Sequence, residues 1–197
     1  MAEYDFIKIQ KQLSKHLDEN RFHHTLGVMY ICAALAMAHD CSIPDAQLAG
    51  LLHDCAKCIP NKKKLDMCEE NRIPVTDFER EHPFLLHAKL GAFVAKDKYG
   101  IGKEEILSAI AFHTTGKPDM SLLEKIVYIA DYIEPGRDRA QNLSKIRKIA
   151  FQDLDECMYV ILKDTLDYLE KTPGEIDSAT EDAFAYYRDL HTKRQGN

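Results

Sequence analysis

Nowhere does this 197-residue chain alternate apolar and polar residues with period two; its apolar residues recur at i, i+3, i+4 and i+7 between closely spaced proline and glycine breaks. The breaks fall at Pro44, Pro60, Pro74, Pro83, Gly100, Gly116 to Pro118, Pro135-Gly136 and Pro173-Gly174. This pattern predicts an all-α fold with helices over about 4–19, 22–38, 44–53, 62–70, 86–99, 103–112, 122–133, 144–170 and 178–191. Ser121-Leu-Leu-Glu124 reads as a capping box that fixes the start of the 122–133 helix. No linker, repeat or shift of composition divides the chain. At 45% apolar it has enough to bury one substantial core, so a single helical domain over 1–197 is expected.

Onto this periodicity fall histidines and aspartates. His24 is followed by Val28, Ile31 and Leu35, and His87 by Leu90, Gly91 and Val94. His113 is preceded by Ile106, Ala109 and Ile110, and Asp131 by Leu123, Val127 and Ala130. Each polar group therefore extends an apolar stripe and points inward. A lone inward histidine is more often a core residue satisfied by a backbone carbonyl. Four helices carrying inward histidines or carboxylates, joined by the His53-Asp54 pair, instead describe a metal site. Adjacent residues on a continuing helix diverge by about 100°, so His53 and Asp54 fit best at a helix end, with the aspartate bridging two ions. His16, His23, His39, His82 and His191 join no apolar face clearly and are read as surface or loop residues.

An all-nitrogen-and-oxygen ligand set suits iron or manganese at least as well as zinc. Two divalent ions against two carboxylates leave positive charge for phosphate oxygens, and the expected nucleophile is a metal-held hydroxide, with no serine or cysteine nucleophile required. Arg21, Lys57 and the loop Thr114, Thr115, Gly116 and Lys117 are placed to cradle a polyanion, with Arg137 and Arg139 as weaker candidates. Tyr128, Tyr132 and Phe84 are read as core aromatics in preference to base-stacking ones. The net charge of −6 disfavours non-specific nucleic-acid binding, and no apolar run is long enough to span a bilayer. A cytoplasmic protein with free thiols is expected. Cys55-x-x-Cys58 stands without a second such pair or a βαβ pattern, which argues against a zinc ribbon or a redox motif.

The order His24, His53-Asp54, Asp131 resembles the HD-domain metal-dependent phosphohydrolases. The stretches 21–28, 49–57, His87-Ala88, 113–116 and 120–135 are similar to the YqeK branch of that superfamily, over about residues 20–140. The resemblance implies an all-helical HD bundle and a two-metal centre commonly occupied by iron. It also implies symmetrical hydrolysis of diadenosine tetraphosphate into two ADP. One ion would be held by His24, His53, Asp54 and Asp131 and the other by Asp54, His87 and His113, with Asp54 shared. Separately from the resemblance, Lys57 at i+3 from Asp54 is placed to meet charge on a phosphate oxygen, which makes Asp54 and Lys57 the expected catalytic residues. The helices after about 144 match nothing diagnostic, and packing, a lid and a homodimer contact all stay open for them. Two further readings stand beside this one: an HD phosphohydrolase of another nucleotide or cyclic dinucleotide, and a non-catalytic, metal-dependent nucleotide-binding regulator.

Overall fold

Side-chain caps set most of the helix starts. In the computed structural model, which describes residues 4–138, 140, 142–171 and 175–196, the described residues form eleven α-helices and one 3₁₀ turn, with no strand. Arg139 and the Pro173-Gly174 break lie outside the described residues. Asp5 caps α1 (Phe6–Leu13), Asp18 caps α2 (Glu19–Ala38) and Ser42 caps α3 (Ile43–Leu52). After α4 (Asn61–Glu70), Thr76 and Glu79 form a reciprocal capping box at α5 (Asp77–Glu81). A 3₁₀ turn over Pro83–Leu86 leads into α6 (His87–Tyr99), followed by α7 (Glu104–Ala111). The expected capping box of Ser121 and Glu124 opens α8 (Leu122–Ile133). The chain continues through α9 (Leu143–Ala150), α10 (Leu154–Leu169) and α11 (Ser178–Gln195).

Three boundaries differ from the periodicity. The first helix stops at Leu13, because Asp18 accepts the Arg21 N–H at 2.8 Å and starts α2 early. The expected 144–170 helix breaks at Phe151 to Asp153 without proline or glycine. There the Asp153 side chain accepts the N–H groups of Asp155 and Glu156, both at 3.0 Å, so a fresh helix start replaces the continuing ladder. The five-residue α5 is too short for a periodic signal, and only its capping box marks it.

Helix α8 buries Leu123, Ile126, Val127, Tyr128, Ile129, Ala130 and Ile133 on almost every side, the signature of a central helix. It packs against α2, α3, α7, α9 and α10. Helices α2 and α3 pack closely, and a Cβ on Gly50 would lie 2.7 Å from Cys32 Sγ, so only glycine allows this approach. No helix among the described residues is long and apolar enough to cross a membrane.

Buried Glu124 ties α8 to its neighbours. It accepts hydrogen bonds from Ser108 Oγ of α7 and from the Ser121 N–H at 2.7 Å, and pairs with Lys117 at 3.1 Å. Burial raises its carboxyl, but the bonds from Ser108, Ser121 and Lys117 outweigh this and hold it below the ordinary value. A carboxylate with a lowered native pKa stabilises the fold above its unfolded pKa, and that contribution is lost as pH falls through the native one. Glu124→Ala is expected to lower stability by about 2 kcal/mol in urea unfolding at pH 7. The deficit relative to the unsubstituted protein should shrink as the pH is lowered below the carboxylate range.

Candidate metal centre

Helix ends decide how the histidines are held. His53 is the C-cap of α3, His87 is the first residue of α6, and His113 lies in the turn just past α7. At each position the backbone carbonyl three residues upstream is in reach of the ring. His53 Nδ1 donates to Gly50 O at 2.7 Å, His87 Nδ1 to Phe84 O at 2.6 Å, and His113 Nδ1 to Ile110 O at 2.7 Å. A carbonyl only accepts, so Nδ1 carries the proton in all three rings and each Nε2 presents a bare lone pair. Burial also pulls His87 down to about 4, which keeps it neutral at neutral pH.

Asp54, whose side chain is 2% exposed, lies among these lone pairs and faces two groups with its two oxygens. Oδ2 is 3.3 Å from His53 Nε2 and 3.9 Å from His24 Nε2, and His24 Nε2 is in turn 3.0 Å from Asp131 Oδ1. Oδ1 is 3.3 Å from His87 Nε2 and 3.5 Å from His113 Nε2. Five of the six residues that the sequence singled out thus gather around the carboxylate of the sixth, Asp54. Two overlapping triads have donor atoms within 4.8 Å of one another, His24 with His53 and Asp131, and His53 with Asp54 and His113.

The polar accounting of this cluster favours a cation. His24 Nε2, His53 Nε2 and Asp54 Oδ1 are buried with no hydrogen-bond partner, a state that costs roughly 1–3 kcal/mol per group unless something else satisfies it. His87 Nε2 and His113 Nε2 face each other at 3.2 Å, lone pair to lone pair. A nitrogen-and-oxygen donor set with this geometry fits divalent metal ions. Burial alone would raise both carboxyls. Both are nevertheless held well below the usual range, and with Arg21 2.7 Å from Asp54 and Arg137 2.7 Å from Asp131 both are ionised and ready to coordinate.

Three expected phosphate contacts reach the rim. Arg21 Nη1 lies 2.7 Å from Asp54 Oδ2, Lys57 Nζ is 3.0 Å from His87 Nε2 and 3.8 Å from Asp54 Oδ1, and Arg137 Nη2 is 2.7 Å from Asp131 Oδ1. Their side chains are 28%, 34% and 43% exposed, so each touches both the cluster and solvent. Burial, its largest influence, lowers Lys57 below the ordinary lysine value. Thr114 Oγ1 is 3.2 Å from His87 Nε2 and 3.1 Å from His113 Nε2.

Other expected contacts do not converge. The Thr115 hydroxyl donates to Gly116 O, and Gly116, at φ +69, packs toward Tyr128 and Met120. Tyr128 is core, as read, but Phe84 is 51% exposed because the 3₁₀ turn rotates it outward. His16 and His23 are exposed, and His39 and His82 lie in loops, half-buried, bonding Ala150 O and Phe78 O; His191 departs from the surface-or-loop reading, half-buried within α11, where it pairs with Glu156 and stacks on Tyr159. Cys55 is buried and donates to Gly91 O, whereas exposed Cys58 donates to Asp18.

One residue of the site escaped the sequence reading. Glu134, three positions after Asp131 and directly before Pro135-Gly136, is buried and lies 3.1 Å from His24 Nδ1. Its acidic side chain between an apolar helix and a Pro-Gly break was the available signal.

Comparison with known proteins bears on the same residues. The HD domain family model matches residues 21–136. The symmetrical bis(5'-nucleosyl)-tetraphosphatase of Bacillus subtilis is 35% identical over 159 residues, spanning 81% of this chain and 84% of that protein. The protein of the same description from Halalkalibacterium halodurans is 38% identical over 164 residues, spanning 83% and 87%. A solved structure from Clostridium acetobutylicum, described as a predicted HD superfamily hydrolase involved in NAD metabolism, superposes with a TM-score of 0.91 at 38% identity. It covers 95% of this chain and 98% of that one.

Proposed function

The chain belongs to the HD domain family, in the branch that holds the symmetrical bis(5'-nucleosyl)-tetraphosphatases, and from that premise we propose that it hydrolyses diadenosine tetraphosphate symmetrically into two ADP. The observation that carries a two-ion reading is the division of Asp54. Its Oδ2 faces His24 and His53, with Asp131 beyond them, while its Oδ1 faces His87 and His113. The substrate rests on the likeness to the two tetraphosphatases.

His24, His53, Asp54 and Asp131 would hold one ion, and Asp54, His87 and His113 the other, with iron the leading choice and manganese and zinc next. Bound there, the pair supplies a water made nucleophilic at neutral pH and positive charge for the phosphate oxygens. The protein's own groups do the rest. Lys57 meets charge that builds on a phosphate oxygen in the transition state, beside His87. Arg21, Arg137 and the Thr114 hydroxyl steer the polyphosphate over the cluster and fix which phosphorus is in line, an inner one. The Cys55 thiol, buried and pushed up to about 12, takes no part.

Incubation with diadenosine tetraphosphate in isotopically labelled water should give two ADP with one labelled oxygen on the attacked phosphate. ATP plus AMP with the label in AMP would place the attack on an outer phosphorus, and no turnover at any metal loading would leave only nucleotide binding.

Substitutions separate the roles. Asp54→Ala should lose both metals and essentially all turnover, whereas His87→Ala should empty mainly one site, as read by elemental analysis. Lys57→Ala should keep its metal content and unfolding midpoint yet lose on the order of 10²-fold in kcat. Unchanged turnover would reduce Lys57 to a solvated charge.

A further inference from the structure

His24 differs from the other three histidines in where it sits. It lies inside α2, five residues past the helix start, where the upstream carbonyls are already engaged by the helix ladder. The backbone device that orients His53, His87 and His113 is therefore closed to it, and its Nδ1 must find an acceptor elsewhere. That acceptor is Glu134 Oε1 at 3.1 Å, at the C-cap of α8, three residues beyond Asp131.

Two features hold the Glu134 carboxylate. Its second oxygen, Oε2, accepts the Gly136 N–H at 2.6 Å. Arg147 of α9 donates to the carbonyls of Ile133 at 2.9 Å and of Glu134 and Arg137 at 3.0 Å each, clamping the segment on both sides of the acid. A third feature makes room for it. Gly27 lies one turn along α2 from His24, and a Cβ there would stand 2.7 Å from Glu134 Oε2.

From this geometry we propose that Glu134 is the positioning residue for His24, with Gly27 keeping its space open. The carboxylate fixes the proton on His24 Nδ1 and so aims Nε2 at Asp131 and Asp54. The inference rests on the reading of the cluster as a metal centre. It also gives α9 a part in that centre, through Arg147.

Titration with Mn²⁺ alone, followed by calorimetry with a chelator competitor, tests it. Glu134→Ala should weaken one Mn²⁺ site by about 10- to 100-fold and leave the other unchanged, with Glu134→Gln in between, since an amide can accept from His24 but not also from Gly136. Gly27→Ala should give the same loss by displacing the same carboxylate, although alanine ordinarily favours a helix over glycine. Because both substitutions act through one group, the double variant should bind no more weakly than the worse single one. The urea midpoint of each variant checks that it is folded, and Gly27→Ala with Glu134→Gln carries the test if Glu134→Ala does not fold. Wild-type affinity in Gly27→Ala and Glu134→Gln, or losses that multiply in the double variant, would overturn the role of Glu134. Failure of the unsubstituted protein to bind Mn²⁺ would overturn the metal reading itself and this inference with it.

Discussion

A carboxylate almost wholly removed from water among four imidazoles organises this molecule. Asp54 sits where α3 has just ended, held by the close approach of α2 and α3 that Gly50 permits. A buried, ionised carboxylate is costly unless charge or hydrogen bonds surround it on every side. Arg21 of α2 meets part of that demand at Oδ2, while α6, α8 and the turn after α7 bring their polar groups to the same point and Oδ1, with no hydrogen-bond partner, is left for a cation. The apolar core of α2, α3, α7 and α8 is thus also the scaffold of the site, because the stripes that drive packing end in the residues that line it.

Backbone groups do much of the orienting. Three imidazoles sit at helix ends, where an upstream carbonyl can take a ring proton, and each turns its Nε2 inward as a result. The fourth sits within a helix and recruits a carboxylate instead. At the rim, Arg21, Lys57 and Arg137 balance the negative charge of Asp54 and Asp131 while remaining open to solvent, so under the proposed function the same cations that steady the carboxylates would be available to an incoming polyphosphate. The arrangement joins stability and function in one set of contacts.

Much of this was legible in the sequence because the signal was periodic. His24, His87 and Asp131 each extend an apolar stripe, and the adjacency of His53 and Asp54 already demanded a helix end, which is where the structure has them. Local capping chemistry was harder to weigh. Asp153 ends one helix and begins another through two side-chain hydrogen bonds, with no proline or glycine to announce it. Thr115 and Gly116 were grouped with Thr114 by adjacency, but the tight turn directs only Thr114 toward the imidazoles. Glu134 was missed because its partner lies 110 residues away, and only tertiary packing shows that His24 lacks any other acceptor.

The central claim is that Asp54 divides the cluster into two ion sites. Anomalous diffraction from crystals soaked in Mn²⁺ tests it most directly. The account predicts two peaks on opposite sides of the Asp54 carboxylate, one bounded by His24, His53 and Asp131 and one by His87 and His113. A single peak, or two peaks on the same oxygen, would contradict it.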